Sequence, residues 1–521
     1  MRKDNVNNYT KKEFLSDKVF NFLDSRGFIV SVALFFLINV FAELFSNSSV
    51  NLYFSIFVFI LIFFSFVVWV LLKKKEYPFP FFFLLVVTLF PDFSYELYTS
   101  ESKIGSSSYI LNKSFSSPIS FYIGQVPVFM MFCGLMIYLS IFIFFYKKGK
   151  VDSFIVPFIL SVIFSTVMGL LNIVTSNALK WLLLDLVNPA LILATYILYR
   201  YAVVDYVAFI LYFFAMLQAK LWTVFFLIAI GRYKSYYSAG VRSMYDTASI
   251  LFFAVASYSF LLVATGRLKN KLTKFALIMN IILLPFYLLI TKGRGQVLIA
   301  FITFIILLVI IAIFAKNKQL SRRIVREVLI MLSMIIIIFY LFAGKHFRDI
   351  YFDAFRSNIN SIITFLSGSQ EGFNASISVR FIELKEIIMK FNSFPLYYLF
   401  GGGYGSYILL PKYIEVDISS YSLEQIVLGK IYKPHDFINT LLLKGGIYGL
   451  FSYLFIPFYI LLKEFKKMNL LSSYVLLLLP GLFYSGLWAT KISILLGFVL
   501  AMYSKYTQEQ KRFLGKSKEE I

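Results

Sequence analysis

Continuous apolar runs of about 20 residues recur along the chain, and this feature limits most strongly what the chain can fold into. Hydrophobic residues make up 60% of the sequence and charged residues only 15%, against about 25% charged residues in ordinary soluble domains. This balance excludes a soluble enzyme, a disordered protein and a nucleic-acid-binding domain. Because the runs do not alternate, they also exclude a β-barrel. The sequence predicts an all-α, polytopic transmembrane protein.

The apolar runs predict fourteen transmembrane helices. The seventh run is long for one helix and is compatible either with one crossing or with two half-spans. The predicted spans are 28–45, 50–72, 79–97, 126–146, 154–175, 181–199, 202–231, 245–265, 273–290, 296–315, 326–343, 436–462, 470–487 and 489–504.

Lysine and arginine positions predict the orientation of these spans. With the N-terminus inside, the cytoplasmic segments carry 30 of the 50 lysines and arginines. This favours one crossing at the seventh span and both termini in the cytoplasm. The predicted organisation is a basic N-terminus at 1–27, eleven spans within 28–343, an extracytoplasmic loop domain at 344–435, three spans within 436–504 and a cytoplasmic tail at 505–521.

The chain has one cysteine, Cys133, and two histidines, so we expect no intrachain disulfide and no Cys/His metal site. No cofactor is expected. No removable signal peptide is predicted. The long loop at 344–435 is rich in Phe, Ile, Leu and Tyr and is therefore predicted to fold. A Ser-rich segment at 92–125 is predicted to form a second long outer loop. Loops of this length are usually functional or disordered.

A helix is predicted around Arg380 in the long loop. Its apolar side chains recur at helical spacing, and the helix is expected to end near Pro395. Arg380 is placed in the first turn, where a cation is unfavourable unless an anion lies between it and the helix start. An ordinary surface arginine is the alternative. The apolar side chains are Phe381, Leu384, Ile388 and Phe391.

Two further motifs follow in the same loop. The glycine-rich segment containing Gly403 and Gly405 could cradle phosphates, or it could be a plain flexible turn. His435 lies at the outer mouth of the twelfth span, followed by Asp436, and Asn439 is one turn further on the same face. A neutral imidazole there is suited to act as a general base near pH 7. An interfacial histidine without a role is the alternative.

Lys292 and Arg294 lie in a tight outer turn between the ninth and tenth spans. Arginine can hold phosphate oxygens bidentately, so this turn suits a pyrophosphate; anchoring to lipid headgroups is the alternative. Arg294, Arg380 and His435 fall on the same side of the predicted membrane. Ionisable residues within spans face either a cavity or the interface, and no single role is predicted for them. They include Glu43, Asp185, Asp205, Lys220 and Lys444.

The order of these motifs resembles the O-antigen polymerase and O-antigen ligase superfamily. The resemblance covers about residues 245–462 and rests on Thr-Lys-Gly-Arg-Gly at 291–295, Ser-Val-Arg at 378–380, Phe-Gly-Gly-Gly-Tyr-Gly at 400–405, and His435 followed by Asn439 and a Leu-rich Gly-Gly-x-x-Gly helix. The family often has Ser-Arg-Gly where this chain has Gly-Arg-Gly, and Asn where it has Asp436.

The resemblance implies a GT-C-like, metal-independent, inverting membrane glycosyltransferase. Its donor and acceptor would be undecaprenyl-pyrophosphate-linked oligosaccharides in a bacterial plasma membrane, with a chain-length regulator and a flippase as partners and no nucleic acid. Arg294 and Arg380 would hold the donor pyrophosphate, and His435 would activate the acceptor hydroxyl. Lys292, Gly403, Gly405, Asp436 and Asn439 would support them.

Three functions follow from this interpretation as alternatives. The first is a polymerase of repeat units for O-antigen, capsule or exopolysaccharide. The second is a ligase that transfers the glycan to a lipid-A core or a protein. The third is a flippase for lipid-linked oligosaccharide, which we would expect to lack a folded outer loop of this size.

The predicted topology can be tested with single cysteines. In a Cys133→Ser background, Ser369→Cys should react with a membrane-impermeant thiol reagent in intact cells or spheroplasts. Lys318→Cys should not react, because positive-inside counting puts 316–326 in the cytoplasm. Equal labelling of the two cysteines would exclude the fourteen-span arrangement.

Overall fold

The fold is taken from a computed structural model of the 521-residue chain. The structure describes residues 16–46, 57, 60, 64, 78–89, 122–123, 126–172, 176–202, 204–230, 247–291, 294–314, 326, 333, 375–409, 427–434, 437–465, 467–487 and 489–519. The spans predicted at 50–72 and 326–343 fall almost entirely outside these residues, as does most of the loop at 92–125.

The described chain is built from α-helices. In chain order they are α1 Arg26–Ser46, α2 Pro78–Leu89, α3 Val128–Tyr146, α4 Val156–Leu171, α5 Ser176–Tyr201, α6 Tyr206–Ala229, α7 Phe252–Thr265, α8 Lys271–Thr291, α9 Arg294–Phe314, α10 Ala375–Asn392, α11 Leu396–Phe400, α12 Phe437–Glu464, α13 Leu470–Ser485 and α14 Thr490–Glu519. A 3₁₀ turn, Thr247–Leu251, leads into α7.

In the described part of the chain, two short antiparallel hairpins lie between helices. Strand β1 (Tyr122–Ile123) pairs with β2 (Val126–Pro127) just before α3. Strand β3 (Ile408–Leu409) pairs with β4 (Lys430–Ile431), with Ile408 opposite Ile431. The second hairpin belongs to the predicted loop domain and lies beside α10.

Among the described residues, five helices are long and apolar enough to cross a membrane, and further apolar helices are shorter, so the chain is a multi-pass α-helical membrane protein. The total of fourteen spans stays a prediction. The long run at 202–231 forms the single helix α6, so the interpretation as two half-spans is wrong. The five long segments are Arg26–Leu44, Leu179–Tyr201, Tyr206–Leu227, Ala248–Thr265 and Phe437–Glu464.

The last helix extends beyond the predicted span. Apolarity ends near residue 504, but α14 continues through most of the predicted tail to Glu519. The residues that follow the span are rich in Lys, Gln, Glu and Arg, which favour helix in water as well. Hydropathy therefore marked the end of the apolar segment and not the end of the helix.

The centre of the bundle is packed by aromatic and aliphatic side chains from α6, α7, α13 and α14. Tyr258 of α7 and Tyr474 of α13 stack with ring centroids 4.5 Å apart, and Phe214 of α6 meets both edge-on. Helices α5 and α14 approach so closely that a Cβ added to Gly497 would lie 2.4 Å from the carbonyl oxygen of Ile192. Small residues at such crossings let membrane helices pack backbone to backbone.

Segments predicted on the same side of the membrane contact each other. Asp24, in the predicted cytoplasmic N-terminus, accepts hydrogen bonds from the amide of Asn270 at 3.0 Å. Asp152 forms an ion pair with Arg200 at 3.1 Å and accepts a hydrogen bond from Ser504. These contacts join segments that positive-inside counting placed together, whereas the compartment of that end stays a prediction.

The close contact at Gly497 predicts a specific sensitivity. Gly497→Ala should lower stability by about 1–3 kcal/mol, because the new methyl group overlaps the α5 backbone. Gly134→Ala in α3 is the matched control, since a Cβ there meets nothing within 4 Å and should stabilise the helix by up to ~1 kcal/mol. Unfolding in detergent measures both, and similar effects for the two variants would contradict this packing.

Candidate functional site

The helix predicted around Arg380 is confirmed as α10, but its buried face differs from the predicted one. The side chains buried at four-residue intervals are Val379, Glu383, Ile387 and Phe391. Ile388, predicted on the apolar stripe, is 44% exposed. Ile387 instead packs with Ile408 of β3 and Leu443 of α12. Contacts with the hairpin and α12 therefore decide which face is buried.

Arg380 lies in the second turn of α10, because the helix begins at Ala375, earlier than predicted. The helix dipole acts mainly within the first turn, so that argument for an anion is weaker than expected. A different observation takes its place. The Nε atom of Arg380 is buried and has no hydrogen-bond partner among the described residues. A buried guanidinium N–H without an acceptor is unfavourable and is suited to an anionic ligand.

Asn439 brings the start of α12 to Arg380. Its side chain is buried, and its Nδ2 donates a hydrogen bond to the carbonyl oxygen of Arg380 at 2.8 Å. Two residues that the sequence placed in separate motifs are thus in direct contact. The predicted residues His435, Asp436 and Lys292 lie outside the described residues.

Arg294 is the first residue of α9, and α8 ends at Thr291. One helix therefore ends and the next begins where the tight turn was predicted, and the turn residues 292–293 themselves lie outside the described residues. The side chain of Arg294 lies outside the described part of the chain.

A kink in α12 forms the centre of the site. Gly446 has φ 60° and ψ −158°, which interrupts the helix. The carbonyl groups before the kink accept hydrogen bonds from the glycine-rich segment 401–405, here called the glycine loop. The amide of Gly402 donates to Leu443 at 2.8 Å, and that of Gly403 donates to Lys444 at 3.2 Å. The loop thus supplies donors to the interrupted helix.

The glycine loop is wedged between α4 and α12. Gly403 has φ +81°, and a Cβ there would lie 2.1 Å from the amide nitrogen of Gly169 in α4. A Cβ on Gly401 would lie 2.6 Å from the amide nitrogen of Gly446. Only glycine permits these conformations and this approach. The amides of the loop, including that of Gly405, donate to protein acceptors, so Gly403 and Gly405 dock the loop in this structure.

A buried ion pair holds the loop from the other side. Lys444 Nζ lies 2.5 Å from Asp185 Oδ2, and their side chains are 5% and 10% exposed. The same carboxylate oxygen accepts the amide of Gly405 at 2.8 Å, and Lys444 also donates to the carbonyl oxygen of Ser406 at 2.6 Å. Two ionisable residues to which the sequence assigned no role therefore join α5, α12 and the loop. The sequence signal that could have indicated this pair is the presence of opposite charges near the same end of two predicted spans.

A small cleft lined by apolar and polar side chains borders this pair. It has a volume of about 40 Å³, and its lining includes Ser161, Ser165, Asp185, Lys433 and Lys444. This space suits a few water molecules with several polar partners each. In the part of the chain that the structure describes, no group of three or more His, Cys, Asp or Glu residues is arranged to hold a metal ion.

Two lysines that the sequence analysis did not single out flank Tyr407. Lys390 Nζ donates to the Tyr407 carbonyl oxygen at 2.7 Å and lies 5.0 Å from its ring centroid. Lys430 Nζ lies 4.3 Å from the same centroid. Burial, and to a smaller extent the charge of Lys444, lower the pKa of Lys390 to about 8. Neither lysine belongs to a recognisable motif.

Comparison with known proteins adds no relative. No protein-family model, curated protein or solved structure matches the chain.

The buried ion pair predicts that losing one partner lowers stability more than replacing both partners with apolar residues. Asp185→Asn should lower the free energy of unfolding by about 3–5 kcal/mol, because it leaves Lys444 charged and buried without its partner. Asp185→Leu combined with Lys444→Met should cost less than either single change. Denaturation in detergent would measure both.

The matched control is the exposed pair between Arg267 and Asp17, whose side chains are 46% and 52% exposed. Asp17→Asn should change stability by less than ~1 kcal/mol. Equal costs for Asp185→Asn and Asp17→Asn would show that the buried pair does not hold the site together.

Proposed function

We propose that the protein polymerises lipid-linked oligosaccharide repeat units at the outer face of a bacterial plasma membrane. The growing glycan would be transferred from one undecaprenyl pyrophosphate to a sugar hydroxyl of an incoming lipid-linked unit. The observation that supports this most is the hydrogen bond from Asn439 to the backbone of Arg380. It joins the helix of one predicted donor-binding arginine to the segment that follows His435.

The donor chemistry rests on the two arginines. Arg380 has a buried Nε–H without an acceptor among the described residues, so it can bind a pyrophosphate oxygen without losing a protein contact. Arg294 begins α9, where backbone amides and the helix dipole also favour a phosphate. Two guanidinium groups would neutralise the charge of the departing undecaprenyl pyrophosphate, a role that needs no metal ion.

The transfer step is a direct displacement. The acceptor hydroxyl oxygen forms a bond to the anomeric carbon of the donor sugar while the bond to the pyrophosphate oxygen breaks. His435 accepts the hydroxyl proton, and the pyrophosphate leaves with the bonding electron pair. Attack from the opposite face inverts the anomeric centre.

The surrounding framework supports this assignment by fixing α10 against α12. Ile387 packs against Leu443, and the glycine loop bonds to the carbonyl groups beside the kink at Gly446. Groups that stabilise developing charge act best when their positions are set before the reaction. Arg380 and the start of α12 meet that condition, because both belong to packed helices.

The general-base role of His435 gives a direct test. His435→Asn keeps a polar side chain with some hydrogen-bonding capacity but cannot take the proton, so transfer should fall by about 10²–10⁴-fold. Binding of the lipid-linked donor should stay near that of the unmodified protein. Polymerisation by purified protein with a lipid-linked repeat unit measures the rate.

His346→Asn is the matched control, because His346 is the other histidine of the chain and belongs to no motif. It should polymerise within a few-fold of the unmodified protein. Polymerisation by His435→Asn at a similar rate would overturn the general-base assignment. Transfer of finished glycan to a lipid-A core without polymerisation would replace the polymerase proposal with the ligase.

A further inference from the structure

Lys390, Tyr407 and Lys430 form a compact cationic group, here called the Tyr407 cluster. Lys390 comes from α10, Tyr407 immediately precedes β3, and Lys430 begins β4. Both ammonium groups lie within 5.0 Å of the tyrosine ring centroid. All three residues are partly exposed, so the cluster is accessible to a ligand.

Within the described residues, no carboxylate balances the positive charge of the Tyr407 cluster. Among the described residues, no Asp or Glu forms an ion pair with Lys390 or Lys430. Lys390 has cationic neighbours, since Lys430 shares its tyrosine and the charge of Lys444 contributes to the lowering of its pKa to about 8. Asp185 is already bonded to Lys444. Like charges held together without a counter-charge disfavour the folded state unless a ligand neutralises them.

A row of aromatic rings packs against the cluster on the side of Tyr432 and Trp181. Tyr407 contacts Tyr432 with centroids 5.3 Å apart, and Tyr432 stacks on Trp181 at 4.6 Å with the planes 3° apart. Lys180 Nζ lies 5.9 Å from the Trp181 ring centroid and adds a third cation. The Nε1–H of Trp181 is buried and has no hydrogen-bond partner among the described residues. The rings therefore fix the positions of several cations and leave one donor unused.

The cluster adjoins the glycine loop. A Cβ added to Gly402 would lie 3.2 Å from Lys390 Cε, and Gly402 is bonded to α12 through Leu443. The cluster is thus connected by direct contacts to the helix that follows His435, but it is built from residues other than Arg294, Arg380 and His435.

We propose that the Tyr407 cluster is a binding subsite for an anionic group, a carboxylate or a phosphate ester, carried by a sugar of the glycan. This inference rests on the proposed function and names its substrate class as an acidic oligosaccharide. The anionic group bridges Lys390 and Lys430, and the sugar lies against the partly exposed edge of Tyr407. Lys390 then gains a charge-assisted hydrogen bond in addition to its bond to the Tyr407 carbonyl oxygen, and Lys430 gains one that no described residue supplies.

Binding of defined saccharides to the purified full-length protein tests this subsite without any transfer reaction. Trigalacturonate supplies carboxylates, glucose 6-phosphate supplies a phosphate ester, and maltotriose is the neutral control. Trigalacturonate or glucose 6-phosphate, or both, should bind, and maltotriose should not. Lys390→Gln and Lys430→Gln should each weaken the binding by about 10-fold or more, the loss expected for one charge-assisted hydrogen bond.

Lys385→Gln is the matched control, because Lys385 is exposed on the same helix as Lys390. It should leave the affinity within about two-fold of the unmodified protein. Raising the pH from 7 to 9 should weaken binding to the unmodified protein, since Lys390 loses its charge near pH 8. The same pH change should have little effect on Lys390→Gln.

Two results would overturn the subsite. One is binding of the charged saccharides that Lys390→Gln and Lys430→Gln leave unchanged. The other is an affinity that falls in phosphatidylglycerol nanodiscs relative to phosphatidylcholine nanodiscs for the unmodified protein and not for Lys390→Gln, because the lysine would then serve lipid headgroups, whereas repulsion by the anionic bilayer surface lowers the affinity of both proteins alike. Neither result involves catalysis, so either would leave the proposed polymerase activity standing. A failure of the His435 experiment would in turn leave the binding result interpretable.

Discussion

A backbone group removed from water must find its hydrogen-bond partner within the protein, and the site is organised by this constraint. The kink at Gly446 interrupts the hydrogen bonding of α12. The glycine loop supplies the missing donors, because the amides of Gly402 and Gly403 donate hydrogen bonds to the carbonyl oxygens of Leu443 and Lys444. A loop outside the predicted spans is in this way tied to a helix that belongs to them. Without the kink, α12 would have no free acceptors for the loop.

The same constraint explains the ion pair between Asp185 and Lys444. Their carboxylate and ammonium groups also bond to Gly405 and Ser406, so both charges and two backbone groups are satisfied together. Buried ion pairs contribute little net stability compared with apolar packing. Their value here is geometric, because one contact sets the relative positions of α5, α12 and the glycine loop. The position of Arg380 is fixed relative to this framework by the hydrogen bond from Asn439 and by the packing of α10 on α12.

Positive charge accumulates around this framework. Lys444 has its carboxylate partner, whereas Lys390 and Lys430 form no ion pair with a described residue and the Nε of Arg380 has no acceptor among the described residues. A membrane protein that keeps several cations without counter-charges at one site attracts anions to it. In the two proposals, a lipid-linked pyrophosphate binds at Arg380 and an acidic group of the glycan binds at the Tyr407 cluster. The two proposals are therefore chemically compatible and independently testable.

The sequence by itself determined the class of protein, the helix containing Arg380 and the position before Arg294 at which one helix ends and the next begins, because hydropathy and helical spacing are properties of neighbouring residues. It did not determine which face of α10 is buried, since contacts with Ile408 and Leu443 favour Ile387 over Ile388. It also did not pair Asp185 with Lys444, or place Lys390 beside Lys430. These contacts join residues far apart in the chain. Only the tertiary packing of the helices decides them, because the partner of a buried charge depends on which helices are adjacent and at what depth.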